Sequence, residues 1–219
     1  MTSIFKGCAG KQIFKNIGNF IYSMEECFIA IVPPKPILTK LSKIMKEMSE
    51  SLSSHKALTF PPHITLVHRF RTENYEEFIQ QLKLYCQKKK HFKVRLLEFG
   101  YFDAPPIIFI DTKSSKNLHN ELLEVAKDFR TPWVRESFLK WKFSKKQQSY
   151  ILKYGSPYVK KFYNSHLTIA GPDVDDKKFR LLLQKGLPKI SGIFLVTMIV
   201  VIKNKDGTWV IDKKIKLGK

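Results

Sequence analysis

The sequence predicts an α+β protein built from two related lobes. Two observations carry this reading. The order apolar strand, amphipathic helix, His-x-Thr strand, amphipathic helix is written twice along the chain. The chain also has 219 residues, 43% hydrophobic and 13% aromatic, enough to bury one large core or two small ones and to exclude disorder, collagen and coiled coil.

Residues 1–24 form a basic N-terminal segment carrying Lys6, Lys11 and Lys15 without an acid. Lysine and glycine interrupt any signal-peptide core and Arg is absent, so a helix or strand packed on the body is expected. Residues 25–219 are then a single bilobal domain. In the first copy Phe28 to Val32 is a strand, and Leu38, Leu41, Ile44, Met45, Met48 and Leu52 trace one face of a helix. Pro61-Pro62 ends the approach to the strand His63-Ile64-Thr65-Leu66, Asn74 with Glu77 resembles a helix cap, and Phe78, Leu82 and Tyr85 continue at helical spacing.

The second copy opens at Ile107 to Ile110, after Pro105-Pro106, and its helix carries Leu118, Leu122, Val125 and Phe129. His166-Leu167-Thr168-Ile169 follows, Gly171-Pro172-Asp173 closes that strand, and Phe179, Leu182 and Leu183 mark a last short helix. Lys93 to Phe102 and Ile193 to Ile202 read as longer strands that complete a sheet in each lobe. From strand start to histidine the first copy spans 35 residues (28 to 63) and the second 59 (107 to 166), so the second holds an insertion of 24. It falls at about 130–161, where nine Lys or Arg stand against the single acid Glu136, interleaved with Trp133, Phe138, Trp141, Phe143, Tyr150, Tyr154 and Tyr158. Cations neutralise phosphates and rings stack on bases for ~1–3 kcal/mol each, so this composition suits a nucleic-acid strand. It equally suits an inserted helical hairpin with its own aromatic core and a solvated lysine face.

Lys plus Arg number 39 against 19 Asp plus Glu, a formal charge of +20 and a pI near 9.8, which points to a polyanionic partner: nucleic acid or a phospholipid surface. The cysteines Cys8, Cys27 and Cys86 form no C-x-x-C pair, so neither a disulfide framework nor a cysteine zinc site is expected, and a cytoplasmic, reducing location follows. The ten-residue stretch Ile193 to Ile202 falls short of a membrane span.

The chemistry concentrates in His63-Ile-Thr65 and His166-Leu-Thr168. Residues i and i+2 of a strand share a face, so each motif presents an imidazole and a hydroxyl together while its apolar residues turn the other way. Side by side, two such strands offer two imidazoles and two hydroxyls to one cleft. That set suits a phosphodiester. One histidine takes a proton from the attacking oxygen and the other gives one to the leaving oxygen, because imidazole titrates near ~6.5. The threonines donate to the non-bridging oxygens. The residues alone leave open which histidine is the base.

Pro61-Pro-His-Ile-Thr-Leu66 and Ser165-His-Leu-Thr-Ile-Ala170 resemble the paired H-x-T signatures of the two-histidine phosphoesterase superfamily, which includes 2′-5′ RNA ligase-like proteins and cyclic nucleotide phosphodiesterases. Phe28 to Pro34 is similar to its first strand, and Leu97 to Asp103, Pro106 to Asp111 and Leu118 through Leu122 to its middle, so the resemblance covers residues 27 to about 202. Ser144 to Gln148, and Tyr154 through Val159 into Phe162 to His166, are similar to a subgroup associated with phosphonate operons. That match is partial, since the front half departs from the subgroup's opening. The resemblance implies a bilobal fold with pseudo-twofold symmetry, antiparallel-rich sheets flanking a central cleft and helices outside. It further implies metal-independent chemistry without a cofactor, and His63, Thr65, His166 and Thr168 as the active quartet. The implied substrate is RNA or a nucleotide with a 2′,3′-cyclic phosphate, a 2′-5′ linkage or a related cyclic phosphodiester, handled by a monomer; some members only bind nucleotides.

Three further residues are candidates for substrate contact. Arg69 lies on the motif face beyond Val67 and is placed to reach a phosphate, while Tyr101 and Tyr158 are placed either to stack on a base or to pack. His68, opposite His63 if the strand stays regular, reads as structural or surface, and His55, His91 and His119 have no partner pattern. The runs Lys88-Lys89-Lys90 and Lys213-Lys214 read as solvated faces, and no metal-ligand spacing or phosphate-binding glycine loop is written. Two other classes stay open: a non-catalytic nucleotide- or RNA-binding module, and a lipid-surface protein using residues 1–24.

Overall fold

Strand β1 (Glu25–Ile31) leads into helix α1 (Lys35–Leu52), whose Leu41, Met45, Met48 and Leu52 are buried at the spacing of one helical face. β2 (Ile64–Thr72), α2 (Tyr75–Gln87), β3 (Phe92–Asp103), β4 (Pro106–Lys113) and α3 (Lys116–Lys127) follow. The inserted segment supplies α4 (Glu136–Leu139) and α5 (Lys145–Tyr154). The chain then runs through β5 (His166–Ala170), α6 (Asp176–Lys185), β6 (Gly192–Val196), β7 (Met198–Lys205) and β8 (Thr208–Lys216). This computed structural model describes residues 24–113, 116–188 and 190–219; the basic segment 1–24, apart from Met24, lies outside them.

The strands form one curled antiparallel sheet in the order β6-β3-β4-β5-β2-β1-β7-β8. Its two four-strand halves, β6-β3-β4-β5 and β2-β1-β7-β8, meet at a single bridge, Ile64 opposite Leu167. A pseudo-twofold axis at that bridge exchanges β5 with β2, β4 with β1, β3 with β7 and β6 with β8. The helices brace the junction crosswise. α1, from the first half, packs over β5, and α3, from the second, packs over β2. The main core therefore lies between helices and sheet and runs through both halves, with Ile29, Leu66, Ile108, Ile110, Leu167 and Ile169 all inside it.

Two expectations need correction. Ile193 to Ile202 is not one strand: it breaks at Thr197 into β6, which pairs with β3, and β7, which pairs with β1. The apolar run is continuous because both strands carry core residues, but the chain changes halves within it. Asn74 occupies the N-cap position of α2 without a side-chain capping bond; the Thr72 hydroxyl instead accepts from the Asn74 N–H.

Where α1 stops, a polar knot ties the halves together. The Asp173 carboxylate accepts from the Ser54 hydroxyl (2.8 Å) and from the His55 and Lys56 backbone N–H groups (2.9 and 3.0 Å), while Gly171 N–H donates to Ser54 Oγ (2.9 Å). Gly171 has φ +107°, and a Cβ there would collide with the Pro106 carbonyl oxygen, so only glycine fits this turn.

Candidate active site

The motif strands alternate as the sequence predicts. Ile64, Leu66, Leu167 and Ile169 are fully buried towards the helices, and His63, Thr65, His166 and Thr168 are half-buried on the other face. Extending the Ile64–Leu167 register by one residue in each direction sets His63 beside Thr168 and Thr65 beside His166, because residues facing each other across an antiparallel pair share a face. The two histidines are then diagonal neighbours, about 7–8 Å apart at the backbone.

Both imidazoles are held the same way. His63 Nδ1–H donates to the Pro61 carbonyl (2.8 Å) and His166 Nδ1–H to the Asn164 carbonyl (2.9 Å), in each case two residues upstream. A carbonyl oxygen only accepts, so Nδ1 carries the proton and Nε2 is left with its lone pair for chemistry. Aromatic walls fix the ring planes. His63 leans on Phe28 (4.9 Å between centroids) and Phe60 (5.9 Å), which with Trp209 form a small second core on this face. His166 leans on Phe109 (5.1 Å) and Phe102 (5.6 Å).

The environments differ in charge. Burial pushes His63 down to about 4, only partly offset by its bond to the Pro61 carbonyl, and the charge of His166 lowers it further. Burial lowers His166 too, but the Asn164 carbonyl and the Asp111 carboxylate oppose it. Asp111 is the residue of β4 paired with His166. The same register places Val32 opposite His63. One imidazole is thus walled by apolar groups, the other has an acid beside it.

Beneath the quartet, β2 is pinned from the helix side. His119, fully buried on α3, donates through Nδ1 to the Leu66 carbonyl (2.6 Å) and accepts at Nε2 from the Lys160 N–H (3.2 Å). Its ring stacks on Tyr163 at 3.7 Å, and the Tyr163 hydroxyl donates to the Thr65 carbonyl (2.9 Å). These bonds hold β2 just where its register against β1 slips, between the pairs Ala30–Thr65 and Ile29–Val67.

The irregularity also decides the fate of neighbouring candidates. A second slip before Phe70 breaks the alternation, so His68 and Arg69 are both half-buried rather than on opposite faces. His68 lies against the Tyr158 ring (6.4 Å), and burial drives its pKa down to about 3, with the charges of His119, Arg135 and His166 adding. Arg69 stacks over Trp209 (5.1 Å), one ring removed from His63. Tyr158 joins the inserted aromatics Phe138 and Phe143. Tyr101 is not brought to the site. Its pairing with Ile108 turns it to the helix side, edge-on to Phe179, and Phe102 takes the position against His166. Among the inserted rings Phe138 and Tyr154 are buried by neighbours, which favours the local-core reading for them, whereas Trp141 stays partly exposed amid exposed Lys140, Lys142, Lys145 and Lys146.

Trp209, Asp111 and Arg135 were not singled out from sequence. Trp209 had a signal: Asp206-Gly207, both at positive φ, form the tight turn of a β7–β8 hairpin, and Asp-Gly between apolar runs marks such turns. Asp111 and Arg135 had none, because nothing local ties either to the motifs.

A two-lobed sheet with a His-x-Thr pair on each central strand defines a two-histidine phosphoesterase. Residues 33–208 match the family model of the 2′-5′ RNA ligase superfamily, and the chain belongs to that superfamily. Solved structures agree on the fold. TT0787 of Thermus thermophilus aligns at TM-score 0.56 and 14% identity over 89% of this chain and 99% of that one. E. coli LigT complexed with 3′-AMP aligns at TM-score 0.51 and 12% identity, again over 89% and 99%. No curated protein sequence matches the chain.

Proposed function

We propose that the protein is a phosphodiesterase that opens a 2′,3′-cyclic phosphate, a 2′-5′ linkage or a related cyclic phosphodiester of RNA or a nucleotide, without a metal ion. The observation that carries this reading is the matched pair of Nδ1-to-carbonyl bonds on diagonal neighbours of two adjoining strands, which leaves one Nε2 lone pair on each histidine. Membership in the superfamily supports it, as does nucleotide binding by LigT, which has been crystallised with 3′-AMP.

In this reading His63 is the base and His166 the acid. His63 is neutral at physiological pH, so its Nε2 takes a proton from water as the water oxygen bonds to phosphorus. The bond from phosphorus to the ribose oxygen breaks, and His166, whose imidazolium burial disfavours but the Asn164 carbonyl and the Asp111 carboxylate support, gives its proton to that oxygen. The Thr65 and Thr168 hydroxyls donate to the non-bridging oxygens, whose charge must be held through the displacement. The test is a panel of 2′,3′-cyclic nucleotides, 2′-5′ oligoadenylates and RNA with a cyclic end, assayed with excess EDTA. Product from at least one, undiminished by EDTA and lost in His63→Ala/His166→Ala, is expected; tight binding with no product on any would instead identify a nucleotide-binding module.

A further inference from the structure

At the far end of β2 two guanidinium groups flank one carboxylate, and a third lies near enough to feel their charges. Glu26, 16% exposed at its side chain, faces Arg69 and Arg71 at 3.8 Å each. Arg69 lies over Trp209 (5.1 Å) and Arg71 over Trp133 (4.6 Å), so both planes are fixed by indole rings. The third guanidinium comes from the inserted segment. Thr131 N–H donates to the Arg71 carbonyl (2.8 Å), which anchors the start of the insertion on β2 and hangs Arg135 over this end of the strand.

Arg135 is half-buried, yet among the described residues it makes no ion pair and donates no side-chain hydrogen bond; its one ring contact is Phe138 at 5.1 Å. Burial lowers its pKa to about 10, and the charge of Arg69 lowers it further, against a weaker pull from Glu26 and Tyr158. Three positive charges on one negative leave a local excess of two, and a partly dehydrated guanidinium with open donors is a ready partner for a phosphate. The cluster shares the quartet's face. Glu26 and Phe28 are alternate residues of β1, Phe28 touches His63, and Arg69 follows Thr65 by four residues, roughly 13 Å along the strand.

We propose that Arg135 and Arg69 form a second anion subsite, which holds another phosphate of the same substrate while the histidines hold the scissile one. This rests on the phosphodiesterase reading for what occupies the quartet. The shared chemistry is a phosphate carried on the same ribose or a neighbouring one: a 5′-phosphate of a mononucleotide, or the next phosphodiester of an RNA strand. Tyr158 and Trp209 flank the subsite, so the sugar and base between the two phosphates run past rings rather than through bare lysines.

The experiment measures equilibrium binding by the full chain in a His63→Ala background, so that turnover does not intervene. The probes are a nucleoside 2′,3′-cyclic phosphate, the same compound with a 5′-phosphate, and a trinucleotide ending in a 2′,3′-cyclic phosphate. A second phosphate is expected to tighten binding, and Arg135→Gln to cut that advantage at least about tenfold, the usual worth of a charge-assisted hydrogen bond. The slope of log affinity against log salt for the trinucleotide should fall by ~0.7, one phosphate contact on a single strand. Arg135→Lys should restore part of the advantage. Gain by the 5′-phosphate probe identifies a terminal phosphate as the occupant, and gain by the trinucleotide alone identifies the strand. An advantage that Arg135→Gln leaves unchanged, or a loss equal for the one-phosphate probe, overturns the subsite. Arg69→Gln, within β2, reports the same ratio should Arg135→Gln fail to fold. Because the readout is binding, a wild-type protein that cleaves none of these probes refutes the phosphodiesterase while the ratio still judges the subsite.

Discussion

Replacing His63 and His166 by Ala, one at a time, separates the two proton transfers. Each change should lower kcat/KM at neutral pH by at least ~10²-fold, the usual contribution of a general base or acid. The pH dependence then tells them apart. With a pKa of about 4, His63 is half neutral at pH 4 and ~99.9% neutral at pH 7, so the wild-type rate should climb tenfold per unit up to pH 4 and then level. His166 titrates below the ordinary ~6.5, so above pH 7.5 less than about a tenth of it carries the proton it must donate, and the rate should fall tenfold per unit. Initial rates on a 2′,3′-cyclic nucleotide between pH 2.5 and 8.5 should show His63→Ala losing the acid limb and keeping the alkaline one, with His166→Ala the reverse. A nucleoside 3′-(p-nitrophenyl phosphate) supplies the sharper assay. p-Nitrophenolate leaves without a proton, so His166→Ala should recover to within about tenfold of wild type while His63→Ala stays low. Recovery by His63→Ala instead would exchange the roles, and full activity in both variants would refute the site.

Three structural expectations accompany this one. His119 is fully buried with a pKa of about 4, so as pH falls below ~6.5 the unfolded chain takes up a proton that the folded one refuses; stability should drop by about 3 kcal/mol by pH 4, and His119→Gln should remove that part of the pH dependence in urea titrations at pH 4.5 and 7. Asp173→Ala strips the Ser54, His55 and Lys56 donors of their acceptor and should cost roughly 2 kcal/mol at pH 7 by thermal melting. Partial burial pushes the Asp173 carboxyl up, but those donors outweigh it and hold the pKa below its ordinary value, so the knot is intact above that value and the penalty should shrink as pH falls through it. Gly171→Ala should lower stability by at least about 2 kcal/mol, since φ +107° and the Pro106 carbonyl both oppose a Cβ; an unchanged melting temperature would show that the turn relaxes freely.

The shared face of the two His-x-Thr pairs was legible because period-two alternation and internal duplication act on short stretches of sequence: Ile64, Leu66, Leu167 and Ile169 must face the core. The Thr197 break was not, because a chain leaving one half of a sheet for the other keeps its apolar residues and so shows no change of pattern. Tyr101 and Phe102 are adjacent and similar, and only their pairing with Ile108 and Ile107 decides which of them reaches His166. Arg69 was expected on the motif face and is there, though through two register slips rather than by regular alternation. His119 had no partners in sequence because both of them, the Leu66 carbonyl and the Lys160 N–H, are backbone groups more than 40 positions away.

The turn at Thr197 has a bearing on how the chain assembles. Strands β1 and β2 can pair as soon as both are made, but the wall that orients His63 needs Trp209, and the outer neighbour of β1 is β7, whose paired residues lie 170 to 176 positions downstream. The half β6-β3-β4-β5 is one continuous piece, residues 92–196, but it interrupts the other half, whose β1 and β2 precede it and whose β7 and β8 follow it. A cut between the two copies would leave β1 without β7, and a ribosome pausing at residue 190 would hold an intermediate with β1 unpaired along one side, an open strand edge that invites aggregation until the final hairpin arrives.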